Sequence, residues 1–80
     1  MNRYIAAFHT HLSALRTYRA LTAAGYSAKM APVPRALSSS CGTCVRYAGE
    51  DEGLSYMDGD WDYIVRVVGE DRYEPLHKAE

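Results

Sequence analysis

The first 49 residues contain no acidic side chain. Six bases, Arg3, Arg16, Arg19, Lys29, Arg35 and Arg46, give that part a formal charge of +6. Residues 50–80 hold all ten acids against three bases, Arg66, Arg72 and Lys78, for −7. The net charge is −1, and so acidic a second part argues against nucleic acid as a partner. Long apolar runs are also missing. Ile5 to Phe8 is too short for a transmembrane helix or the apolar stretch of a secretory signal. The chain therefore reads as cytoplasmic, without a membrane partner. Cysteine is scarce: Cys41 and Cys44 cannot form a disulfide scaffold, and a C-x-x-C pair in the cytosol points to metal or redox chemistry. There is no internal repeat, P-loop, dinucleotide fingerprint or nucleophile elbow. No general base or substrate pocket is visible, so neither a conventional enzyme nor a cofactor is expected. Its 80 residues allow one domain, 1–80, with a thin core.

What is present orders into short elements. Arg3 to Phe8 reads as a first strand. Thr10 caps a helix running to about Ala24, and Gly25 stands where a C-terminal glycine cap belongs. At 100° per residue Ala14, Leu15, Tyr18, Leu21 and Thr22 share one side, opposite Arg16, Arg19, Ala20 and Ala23. Tyr26 to Ala31 is a second strand, ended by Pro32 and Pro34. Residues 35–42 form a loop of small and polar side chains. Thr43 to Ala48 is a third strand, with Thr43, Val45 and Tyr47 on one face and Cys44 and Arg46 on the other. Glu50 to Met57 has room for one or two helical turns. Trp61 to Val68 fits both periodicities, and its β-branched content favours a strand. Gly69-Glu70-Asp71 turns the chain into a short edge strand from Arg72 to His77. The fold expected is α+β: a compact ferredoxin-like two-layer sandwich of about four antiparallel strands, one main helix and a reduced second helix. Exposed strand edges in so small a sheet favour a homodimer.

Chemistry concentrates in Ser38-Ser39-Ser40-Cys41-Gly42-Thr43-Cys44. A reactive cysteine needs nearby N–H donors and positive charge. Ser38, Ser39, Ser40 and Gly42 are small enough to leave the backbone around Cys41 open, and hydroxyls with unpaired amides can hold an anion. Arg35 and Arg46 lie six residues before and five after Cys41, in reach of an anion-stabilising role. Cys44 leaves two roles open: it resolves an oxidised or persulfidated Cys41 by forming a disulfide, or it is a small apolar residue of the third strand. One C-x-x-C is half a zinc site, and His9, His11 and His77 have no ligand spacing, so no metal is expected. Asp58-x-Asp60-x-Asp62 has the opening spacing of a calcium loop, but Tyr63 and Gly69 occupy the places of its glycine and closing glutamate.

Phe8-His9-Thr10-His11, Ala14-Leu15, Gly25, the run Pro32-Val33-Pro34-Arg35-Ala36-Leu37-Ser38-Ser39-Ser40-Cys41-Gly42 and Arg46 together resemble a family of small bacterial selenium/sulfur carrier-like proteins. The resemblance covers residues 3–49, with Tyr63 to Gly69 and Tyr73 to Leu76 similar to the family's closing strand. It implies that Cys41 is the carrier residue, accepting a persulfide or perselenide from a donor protein and passing it to an acceptor protein. Two features depart from the family. The second helix is short and rich in Gly and Asp, and Cys44 stands where an apolar residue is more usual. Two further readings stand beside the carrier: a small interaction or regulatory module with structural cysteines, and a thiol-disulfide redox protein using Cys41 and Cys44.

Overall fold

Tyr4, Ile5, Ala6, Ala7 and Phe8 are consecutive and all buried. A strand can bury both faces only if it is covered above and below. The computed structural model, which describes residues 1–39 and 41–79, places this strand, β1 (Asn2–Phe8), at the centre of a five-stranded sheet. The chain continues through α1 (His11–Ala23), β2 (Ser27–Pro32), β3 (Thr43–Gly49), one 3-10 turn (Leu54–Tyr56), β4 (Trp61–Gly69) and β5 (Arg72–Lys78). The strand order is β2-β3-β1-β4-β5, antiparallel throughout.

The caps of α1 are those its sequence supplies. The Thr10 side chain accepts a hydrogen bond from the Ser13 amide at 3.2 Å, satisfying one of the orphan donors of the first turn. At the other end the Tyr26 amide donates to the Leu21 carbonyl and the Gly25 amide to the Thr22 carbonyl. Gly25 has φ +95°. These paired bonds around a left-handed glycine form a Schellman motif. The buried stripe differs from the apolar count: it is Ser13, Ala14, Thr17 and Leu21. Thr22 is exposed and turns its hydroxyl back to the Tyr18 carbonyl at 2.8 Å. Two polar residues can face inward because Asp58 meets both. Ser13 Oγ donates to Asp58 Oδ2 at 2.9 Å, and Thr17 Oγ1 accepts the Asp58 amide at 2.9 Å.

The sheet separates two apolar clusters by alternation. On the helix side Tyr4, Ala6, Phe8, Val45, Tyr47 and Ile64 pack with Ala14 and Leu21. On the far side Ile5, Cys44 and Val65 are buried, with Val33, Leu37, Tyr63 and Val67 packed against them. No second helix covers that face among the described residues; the loop after β2 does. It is closed by the Val33 amide on the Gly42 carbonyl at 3.1 Å and held down by Tyr63, whose hydroxyl donates to the Ser38 carbonyl.

The α+β class stands, but the expected four-stranded ferredoxin-like sandwich needs correction. Its split βαβ arrangement survives, with β3 between β1 and β2. Arg72–Lys78 adds a fifth strand, and Trp61–Gly69 is a strand along its whole length. The second helix is reduced to Leu54–Tyr56. The reason is reach. Residues 50–60 must run from the end of β3 back to the start of β4, which is parallel to β3 because both are antiparallel to β1. Eleven helical residues rise only about 16 Å, against roughly 23 Å for a seven-residue strand. Extended chain spans the gap. It is pinned at one end by Asp51, whose Oδ1 accepts from Tyr26 and from the Gly53 amide, and by Tyr47 donating to the Glu52 carbonyl. Asp58 pins the other end against α1.

Candidate cysteine site

Cys41 precedes β3, beside the end of β1. Its Sγ lies 3.3 Å from the Phe8 carbonyl and 3.4 Å from the Thr43 carbonyl, with the thiol as donor. Ser39 Oγ donates to the same Phe8 carbonyl at 3.0 Å and stands 3.9 Å from the sulfur. Gly42 takes φ +73°, which turns the chain into β3, and a side chain there would meet open space. Phe8 is two residues before the cap of α1, and His11 in its first turn reaches Thr43 through Nδ1 and Oγ1 at 3.4 Å. The Cys41 loop therefore lies against the N-terminal end of α1. That end carries the positive pole of the helix dipole. The half-buried Cys41 is open to solvent in part.

Cys44 has a different environment. It is fully buried in the far-side cluster with Ile5 and Val65, and its thiol donates to the Pro32 carbonyl at 3.6 Å. Burial pushes this thiol up to about 11, against a smaller opposing effect of the Arg46 charge. Its place in the sheet is that of the small apolar residue left open in the sequence. Both cysteines are free.

The remaining expected residues divide. Ser39, Gly42 and Cys41 come together. Ser38 is exposed and uses its carbonyl to hold Tyr63. Ser40 lies outside the described residues. Arg35 is exposed, and among the described residues neither it nor Arg46 makes a hydrogen bond or ion pair with Cys41. Arg46 instead shares its strand face with Cys44, beside Lys29 and Ile5 in the register. No group of three His, Cys, Asp or Glu among the described residues is placed to hold a metal ion. Sequence reasoning missed the partners that matter most to Cys41: two main-chain carbonyls, from Phe8 and Thr43. Side-chain types carry no signal of these. The His11–Thr43 contact was foreshadowed only by the position of His11 in the first helical turn.

A small α+β sheet with one covering helix, presenting a cysteine loop at that helix's N-terminal end, defines the class of protein. The chain belongs to the family described as Putative Se/S carrier protein-like, which matches residues 3–56. The matched stretch holds β1, α1, β2, the Cys41 loop, β3 and the 3-10 turn; β4 and β5 lie beyond it. No curated protein and no solved structure matches the chain. No described helix is long and apolar enough to cross a membrane.

Proposed function

We propose that this protein carries sulfur or selenium between partner proteins, with Cys41 as the loaded residue. One observation carries the choice of residue: of the two thiols in the family-matched stretch, solvent reaches Cys41 and not Cys44. In loading, the Cys41 thiolate attacks the outer sulfur of a donor persulfide, R–S–SH. The Cys41 S–S bond forms, the donor's S–S bond breaks, and R–S⁻ leaves with the displaced electron pair. No oxidant or reductant is consumed. Delivery is the same exchange onto an acceptor thiol, and a perselenide follows the same electron count. A thiolate has no proton to give the Phe8 and Thr43 carbonyls, so the nucleophilic form turns Sγ away from them toward solvent. The outer atom of the loaded residue then stands about 2 Å further out. Its negative charge is favoured by the adjacent N-terminal end of α1. Release by attack of Cys44 would leave a disulfide, and it requires β3 to open; direct transfer to an acceptor thiol does not.

The test is loading of the reduced protein with a persulfide donor, read as the added mass of one sulfur atom and located by peptide mapping. Loading is expected on Cys41, lost in Cys41→Ser and kept in Cys44→Ala. Unchanged loading of Cys41→Ser sinks the proposal. A second reading, an interaction module with structural cysteines, is favoured by one observation. Among the described residues the sulfur of Cys41 meets two acceptor oxygens and no cationic side chain. Absence of loading by every donor, with both thiols intact, is the result that reading expects.

A further inference from the structure

The face of the sheet away from α1 is half covered. The loop after β2 lies over the β4 side, while the outer rows of β2, β3 and β1 carry cations. Lys29 stands directly opposite Arg46 in the β2–β3 register. Arg3 stands opposite Ala48 in the β3–β1 register, one diagonal step from Arg46. Directly opposed side chains have Cβ atoms about 4.5–5.5 Å apart and diagonal ones about 7–8 Å, and like charges directly opposed destabilise a sheet. Among the described residues no ion pair relieves them. The ion pairs among the described residues use His9, Arg16, Arg66 and His77, not Arg3, Lys29 or Arg46. Between the three cations sit two small residues, Ser27 and Ala48, paired with one another. They form the floor of an open depression of about 340 Å³, with Val67 as its far wall.

We propose that this depression binds a compact phosphate-class polyanion, an organic or inorganic di- or triphosphate. Three cations standing around two small side chains match a dense, short ligand. An acidic peptide lying along a strand spaces same-face carboxylates about 7 Å apart in a line, which the bent arrangement of Lys29, Arg46 and Arg3 does not follow. Arg3 and Arg46 grip phosphate oxygens through two N–H groups each, Lys29 adds a point charge, and the Ser27 hydroxyl is at hand below. Binding converts the opposed pair from a repulsion into a shared contact. The site is separate from Cys41. Arg46 lies about 10 Å along β3 from Thr43, toward the opposite end of the sheet.

The test titrates inorganic triphosphate, and separately ADP, into the isotopically labelled full chain at low ionic strength and again at about 0.15 M salt. Amide shifts are expected at Ser27, Arg46 and Ala48, with the Cys41 loop unmoved. Arg3→Gln and Lys29→Gln change exposed residues, and their spectra report that the fold is kept. Each is expected to weaken binding by roughly tenfold, the loss of one charge-assisted contact. Arg35→Gln, an exposed cation elsewhere, leaves it unchanged. Equal affinity for the two probes means that the phosphate chain alone is read, and tighter ADP binding means a nucleotide. The proposal is overturned if neither probe shifts these amides, if Arg35→Gln weakens binding as much as Lys29→Gln, or if a glutamate-rich peptide binds this face more tightly than both.

Discussion

Reaction with a thiol alkylating agent separates the two cysteines quantitatively. Cys44 can react by two routes. Attacked in place it must first ionise, and with its pKa pushed up to about 11 only about one molecule in 10³ carries the thiolate at pH 8. The sulfur is also fully buried, so the reagent has no access even then. By the second route the sheet opens, and the rate falls by the open fraction. For a small domain of about 5 kcal/mol that fraction is on the order of 10⁻⁴. Either route leaves Cys44 at least about two orders of magnitude slower than a solvent-reached thiol. The assay is pulsed alkylation at pH 8, quenched and read by peptide mass spectrometry, with a repeat in concentrated urea. Natively Cys41 is modified first and Cys44 stays protected; in urea the two rates converge. Native rates within a few-fold of each other would refute the reasoning, because Cys44 would then visit solvent without unfolding. In that case a Cys41–Cys44 disulfide becomes an accessible release step, and the thiol-disulfide reading regains its ground.

Three further outcomes follow from the contacts of the segment between β3 and β4. Thr17→Val removes the acceptor of the part-buried Asp58 amide bond, and urea unfolding should show a loss of about 1–3 kcal/mol; a loss below a few tenths contradicts the role given to that hydroxyl. Gly53 has φ +61°, and a Cβ there lies 2.9 Å from Leu21 Cδ2, so Gly53→Ala should lower the melting temperature, while Gly59→Ala, which meets nothing, should not. The hydrogen bond from His77 holds the Glu52 carboxyl below its usual range, helped by its own backbone amide. A lowered carboxylate stabilises the fold fully above the unfolded value of about 4.3 and ceases to as pH falls through the folded value. Stability measured against pH should therefore drop less steeply below about pH 4.3 in His77→Ala than in the parent chain.

The helix and the third strand were readable because their signals are local. Thr10 and Gly25 mark the two ends of α1 by side-chain chemistry within four residues of the bonds they complete. Alternation put Cys44 and Arg46 on one face of β3, and that same alternation already put Thr43, the strand residue next to the cysteine loop, on the other. The expectation that Arg46 serves Cys41 came from counting along the chain rather than from faces. The surroundings of Cys41 were not readable. They depend on the Phe8 carbonyl, thirty-three positions away, and main-chain groups are the same in every sequence. The inward Ser13 and Thr17 were missed for a related reason. A polar residue on an apolar stripe is tolerable only with a partner, and the partner, Asp58, stands more than forty positions along the chain, just past the segment read as helical turns.

The family match ends at residue 56, yet the fold places decisive structure after it. β1 is the central strand, and its second edge is paired by β4 from Tyr4 to Phe8. Ile64 and Val65, both buried, pack on opposite faces of the sheet, one in each apolar cluster. Removing β4 and β5 takes away those two side chains and re-exposes Ile5 and Phe8. At about 1.5–3 kcal/mol for each fully buried side chain, the loss is roughly 6–12 kcal/mol, the size of the entire stability of a small domain. A chain stopped after Gly59 keeps all of the matched residues and the whole cysteine loop. It should nevertheless show no cooperative thermal transition by circular dichroism, or should aggregate through the bare edge of β1. Adding residues 60–80 as a separate peptide should restore the transition by supplying the missing strands. If the truncated chain instead melts cooperatively as a monomer, then β1, β2, β3 and α1 form a self-sufficient core. The β4–β5 hairpin would then be an accessory to this fold rather than the strand pair that completes it.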